Sequence, residues 1–164
     1  MASNSRQTRR RITIERRLTA PIDAVWDLWT TAPGIECWWG PEGFQVKVHH
    51  LDLRPGGELH YDMTAIAPDQ IDFLKKAGMP IRQPASLTYT SVLPQRHLGF
   101  RQLADFIPGV KPYEVEHSVD FAQEGAIVRM TLTLDAMHDE QWTKMAVMGW
   151  EQELGKLARL LQSR

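Results

Sequence analysis

The chain has a single cysteine, Cys37, so it closes no internal disulfide and cannot alone build a structural zinc site. A reducing, cytoplasmic setting is the expectation. No apolar run approaches the ~20 residues that span a bilayer, and no secretory hydrophobic segment follows Met1; no membrane partner is expected. An excess of one charge is missing too. Nineteen Lys+Arg against twenty Asp+Glu leave a net charge of −1, too little to draw nucleic acid. The sequence also lacks a Gly-rich phosphate loop, a Gly-x-Ser-x-Gly elbow and a His-Glu-x-x-His pair. Those absences argue against nucleotide binding, an α/β-hydrolase and a zinc protease.

What is present is an ordinary globular composition, 43% apolar and 24% charged over 164 residues, long enough for one domain with a real core. No repeat or linker calls for a second. Residues 1–11 are polar, with Arg6, Arg9, Arg10 and Arg11 clustered before any periodic pattern; they read as a disordered basic arm ahead of a domain spanning 12–164. The strongest periodicity lies at the other end. Trp142, Met145, Ala146, Gly149, Trp150, Leu154, Leu157, Ala158 and Leu161 recur at three-and-four spacing, which predicts a long helix with one apolar face. Met145, Met148 and Gly149 are adaptable or absent side chains, a hint of space beside that helix.

From Ile12 the chain alternates, with Ile12, Ile14, Arg16 and Leu18 on one side. Two short helices follow, one opened by Pro21 and one around 34–38, closing at Trp38-Trp39-Gly40-Pro41. Residues 44–48 and 59–63 alternate around the Arg54-Pro55-Gly56-Gly57 turn as a hairpin. Pro68 to Lys76 reads as a short helix inside an insertion, Pro68 to Pro84, that has the look of a lid. Strands are expected over 86–93, 97–106, 113–121 and 126–134. The economical arrangement is α+β, an antiparallel sheet with one face covered by the terminal helix.

Several of these segments carry a resemblance. Arg16 with Ala20-Pro21, Val25-Trp26, Trp38 through Phe44, Asp52 through Gly57, and Gly149-Trp150-Glu151 resemble the family named after the activator of the heat-shock protein ninety ATPase, within the START-like or SRPBCC superfamily. The likeness runs from about Ile12 to Leu161. It implies a helix-grip fold, a curved antiparallel sheet around the long C-terminal helix with a deep hydrophobic cavity between them. Members of the wider superfamily bind lipids, sterols, hormones or polyketides, and some are cyclases or aromatases. The eukaryotic activators carry an additional N-terminal chaperone-binding domain, and before this single domain lies only the short basic arm.

Candidate site residues follow from strand and helix period. His117 falls in the apolar set of Tyr113, Val115, Val119 and Phe121, which points its imidazole inward. It reads either as a ligand-orienting group or as a core histidine held by Tyr89, Gln102 or water. Tyr61 and Tyr89 fall on inward faces, where a phenol offers apolar contact and one polar tip. With Trp39, Phe44, Phe100, Trp142, Met145 and Gly149 they outline a ligand pocket, to which Arg16 would add a cation or merely snorkel at a strand rim. His49, His50, His60 and Asp62 cluster in one hairpin, but the alternation sets His49, His60 and Asp62 on the solvent face, so no metal and no cofactor is expected. The leading expectation is binding of a small or medium hydrophobic molecule, planar or acidic, without catalysis. A cyclase, aromatase or dehydratase using His117 as acid or base is the second reading. A chaperone-linked interaction protein is the third, and a homodimer is left open.

Overall fold

The computed structural model describes residues 10–105 and 107–163. The chain forms β1 (Arg11–Leu18), α1 (Ile22–Thr30), α2 (Ala32–Trp38), β2 (Phe44–Leu51), β3 (Glu58–Ala65), α3 (Pro68–Lys76), β4 (Arg82–Leu93), β5 (His97–Ala104), β6 (Tyr113–Glu124), β7 (Ile127–Asp135) and α4 (Glu140–Gln162). The seven strands make one sheet in the order β1-β7-β6-β5-β4-β3-β2, antiparallel throughout. The pairing from β2 to β7 is a meander of neighbours; β1 alone pairs across the chain, Ile14 lying opposite Leu132. Helices α1 and α2 therefore carry the chain from one edge of the sheet to the other. This is an α+β helix-grip fold, with two short helices after the first strand and the long helix α4 last.

Most of the expected basic arm, 1–9, lies outside the described residues. Arg10 and Arg11 do not behave as part of a free arm. Arg11 opens β1 opposite Asp135, the Arg10 carbonyl oxygen accepts from the Ala136 N–H at 2.7 Å, and the Arg10 guanidinium pairs with Glu140 at 3.0 Å. The final residue of the strand expected over 97–106, Phe106, is likewise outside the described residues, and β5 ends at Ala104. The insertion is shorter than the sequence suggests, because Arg82, Gln83 and Pro84 already belong to β4, opposite Thr64, Met63 and Asp62.

Curvature comes from two β-bulges, between Val48 and His50 in β2 and between Tyr89 and Ser91 in β4, since an unpaired extra residue bends its strand and tightens its twist. Gly99, opposite the second bulge, has no room for a side chain: a Cβ there would sit 2.7 Å from Thr90 Oγ1. On the inner face Ile14, Leu59, Leu87, Leu98, Phe100, Val119, Met130, Leu132 and Leu134 form a continuous core with α1, α2 and α4. α4 starts on Asp139, whose Oδ1 accepts from the Trp142 N–H at 2.8 Å, and buries Trp150, Leu154, Leu157 and Leu161.

The turn before β3 is docked onto β4, with Gly56 N–H donating to Tyr89 O and Tyr89 N–H to Gly57 O, both at 2.8 Å. A Cβ on Gly57 would meet Asp52 O at 2.1 Å. Gly57→Ala is accordingly expected to destabilise the domain by about 2 kcal/mol or more, as substitutions that force backbone apart do. Gly78→Ala, whose Cβ meets nothing within 4 Å but whose φ of 71° favours glycine, should cost only about 1 kcal/mol. Urea unfolding of the two variants checks the difference.

Candidate functional site

The tryptophans at the end of α1 and α2 decide which part of the concave face is filled. Trp29 stands edge-on to Trp38 (4.7 Å) and Trp39 (5.5 Å) and stacks with Trp150 of α4 at 6.1 Å; Trp38 donates its indole N–H to Leu28 O at 2.8 Å. Beyond this cluster, toward the N-terminal half of α4, the sheet curves away from the helix. There a cavity of about 620 Å3 lies between them, within the range of small-molecule sites.

Its walls come from α4, from strands β3 to β7 and from the corner after α2. Trp142, Met145, Ala146, Gly149, Trp150 and Glu153 line it from α4; Tyr61 and Met63 from β3; Ala85 from β4; Gln102 and Ala104 from β5; Val115 and His117 from β6; Trp39 and Pro41 from the corner after α2. His60, Gln83, Pro84, Ser86, Leu103 and Asp105 stand around the rim. Leu103 and Met145, each about half exposed, mark the opening.

Six of the expected residues therefore meet at one cavity: Trp39, Tyr61, His117, Trp142, Met145 and Gly149. The other four do not line it. Phe100 is fully buried behind His117, stacked on the imidazole with ring centres 4.9 Å apart and planes within 7°. Tyr89 is buried in the core one strand away, its phenol pKa raised by burial and by the field of Tyr61. Phe44 is only partly buried at the sheet edge. Arg16 shares the inner face of β1 as its period requires, but its guanidinium turns back to donate to Glu15 O at 2.9 Å. Met148 is 55% exposed and does not line the cavity, standing one residue before Gly149 and so about 100° around the helix from it. Helix α3, the centre of the expected lid, contributes no lining residue; it holds on through buried Leu74 and leaves Phe73 outside.

The polar groups of the cavity are few and specifically wired. His117, 5% exposed, donates Nδ1–H to Val115 O at 3.1 Å, a contact with neither Tyr89 nor Gln102. A carbonyl accepts only, so the proton is on Nδ1 and Nε2 is a bare acceptor. Burial lowers its pKa from 6.5 to about 4, the Val115 contact opposing in part, so the ring is neutral at physiological pH and suited to accepting a proton or hydrogen bond. Gln102 instead donates Nε2–H to Tyr61 Oη at 3.3 Å, and the Trp39 indole is a second hydrogen-bond partner of that phenol. Burial raises the Tyr61 pKa well above its ordinary value, the field of Glu153 adding to it.

Glu153 is the residue that sequence reading missed. It follows Trp142, Met145, Ala146 and Gly149 at helical spacing, so the same stripe carries a carboxyl four residues beyond Gly149. The signal was the interruption of an apolar face by an acid. Its side chain is part of the cavity lining. Enclosure there raises the carboxyl from 4.5 to about 8, with the Gly40 backbone and the charge of Lys156 opposing the rise. Lys156, its own pKa lowered by burial, donates Nζ–H to Gly40 O at 2.9 Å. α4 thus holds the corner after α2 by Gly40 from two positions one turn apart.

The hairpin histidines pair with carboxylates on the outer face: His49 with Asp62 at 2.8 Å and His60 with Glu58 at 2.7 Å. Among the described residues no group of three His, Cys, Asp or Glu is placed to hold a metal, and no helix is long and apolar enough to cross a membrane.

A curved antiparallel sheet gripping one long helix over an open cavity defines a START-like protein. The sequence matches the family described as Activator of Hsp90 ATPase homolog 1-like protein over residues 19–162, and the chain belongs to that family. Solved structures agree on the fold. A Chromobacterium violaceum protein is 22% identical, with a TM-score of 0.75 over 92% of this chain and 96% of its own. The AHSA1-like protein from Aeromonas hydrophila is 23% identical, with a TM-score of 0.71 over 94% and 93%. The AHSA1 protein from Silicibacter pomeroyi is 22% identical, with a TM-score of 0.72 over 93% and 98%. Among curated proteins none is significantly similar to this sequence.

The two shifted groups give stability opposite pH dependences. Above about 4.5 the unfolded chain releases the Glu153 proton that the folded chain keeps until about 8, so stability is lost as pH rises across that interval. Below 6.5 the unfolded chain protonates His117 while the folded chain resists until about 4, so stability is lost as pH falls between those values. The two slopes offset each other between 4.5 and 6.5. In urea unfolding, Glu153→Gln should become increasingly stable relative to the wild type as pH rises from 4.5 to 8, and its own acid limb below 6.5 should steepen.

Proposed function

We propose that this protein binds a small or medium-sized, largely apolar molecule in the cavity between the sheet and α4, without catalysing its conversion. The observation that carries the reading is the cavity itself: about 620 Å3 walled by Trp39, Trp142, Trp150, Met145, Ala146 and Val115, with Tyr61, Gln102, His117 and Glu153 as its polar groups. Burial of ligand carbon would supply affinity at roughly 25 cal/mol per Å2 before ordering costs. Tyr61 and His117 orient the bound molecule. A neutral His117 is a poor general acid, which weighs against the acid role that the cyclase or dehydratase reading gives it. The reading of a chaperone-linked surface draws on the family alone.

Gly149 offers a direct test, because a Cβ there meets nothing within 4 Å and would project into the cavity. Gly149→Leu is expected to raise helix stability by about 1 kcal/mol while filling the space. Native mass spectrometry of freshly purified protein, followed by denaturing extraction, should show a non-covalent apolar adduct on the wild type and none on Gly149→Leu. Equal adduct on both proteins would refute the cavity as its seat. Binding to a chaperone that survives in Gly149→Leu would favour a surface role.

A further inference from the structure

Three of the polar groups inside the cavity offer a hydrogen-bond acceptor to a bound molecule. His117 Nε2 is bare because Nδ1 carries the proton to Val115 O. Gln102 spends an amide N–H on Tyr61, which leaves its carbonyl oxygen. Glu153 adds a carboxyl from α4. Contacts tie these groups to one region: Trp150, three residues before Glu153, lies 5.6 Å from the His117 ring and 5.5 Å from Trp39, and Trp39 lies 6.3 Å from Tyr61.

Charge has the same sense. Among the described residues the lining includes the carboxyls of Glu153 and Asp105 but no lysine or arginine. Lys156 acts on Glu153 only through its field, its Nζ being bonded to the Gly40 carbonyl oxygen. An acidic ligand, expected from a cation at Arg16, finds none in the lining. A buried carboxyl without a paired cation is costly when ionised. A ligand that brings the cation removes that cost, and indole faces attract such a charge as well.

We infer that the cavity selects apolar amines, with the ligand's protonated nitrogen held by the Glu153 carboxylate and His117 Nε2 against the rings of Trp39 and Trp150, and its hydrocarbon directed toward Met145 and Trp142. The inference rests on the cavity-binding reading above. The proton balance is simple: an ammonium displaces the proton of Glu153, or a free amine accepts it, and either route gives the same ion pair. Because Glu153 keeps its proton up to about pH 8, amine affinity rises with pH to that point. Gly40, Tyr61 and Lys156 face the same carboxyl, and of these only Lys156 brings a competing positive charge.

Three probes of one shape test this: phenylbutylamine, phenylbutanol and phenylbutanoate, titrated calorimetrically into the intact protein at pH near 8. The amine should bind at least about tenfold more tightly than the alcohol, one pKa unit's worth of differential interaction, and the carboxylate most weakly. Glu153→Gln should remove the amine's advantage, so that amine and alcohol bind alike, with thermal melting confirming that the variant is folded. Alcohol binding with no preference for the amine, or equal losses for both probes in Glu153→Gln, would overturn the amine inference and leave the cavity reading standing. Failure of all three probes to bind would overturn both.

Discussion

The depth at which α4 sits in the sheet is fixed by the tryptophan cluster at the junction of α1, α2 and α4. Trp29 contacts Trp38, Trp39 and Trp150 at once, and these large rings fill one half of a concave surface that a single helix cannot fill along its whole length. The other half stays open, on a sheet whose strands β2 and β4 each carry a bulge. Core and cavity thus share one concave face, divided between the tryptophan cluster and the open space beside α4. Trp39 belongs to both, packed on Trp29 on one side and lining the cavity on the other.

The chemistry of the cavity follows from the same enclosure. Removing Glu153 and His117 from bulk water moves their pKa values in opposite directions, since burial disfavours whichever form is charged. Both end neutral near physiological pH, and both keep a polar face toward the space between sheet and helix. Gly40 makes this compatible with a stable corner. Its φ of 90° is the left-handed conformation that favours glycine, and in it the carbonyl oxygen reaches Lys156 while the backbone opposes the rise at Glu153.

Much of this was legible in the chain. Alternation located each strand, the three-and-four stripe located α4, and turn residues separated the hairpins, because those patterns reflect local geometry that tertiary contacts did not override. Six lining residues could be named for the same reason: strand period and helix period fix which way a side chain leaves the backbone. Period does not fix position along the sheet. Arg16, Phe44, Tyr89 and Phe100 all have partly or fully buried positions, yet they lie past the sealed part of the concave face or behind another ring. Glu153 escaped because a polar residue within an apolar stripe reads as solvent-facing until the neighbouring strands show that it is enclosed.

The strand order has a consequence for how the chain reaches this state. Strands β2 to β7 can pair as each emerges beside its predecessor, since even the connection through α3 adds little closure entropy. β1 must wait: its partner, β7, lies more than a hundred residues along the chain, as the pairing of Ile14 with Leu132 shows. This edge leaves the ribosome before the other strands of the sheet and is paired last. Until β7 exists, Ile12, Ile14 and Leu18 lack the strand beside which they bury, so β1 waits longer for its partner than any later strand of the domain. Such non-local closure makes for slow folding. The charges of Glu15, Arg16 and Arg17 then serve the nascent chain as well as the finished one, keeping a waiting strand from pairing with the wrong edge.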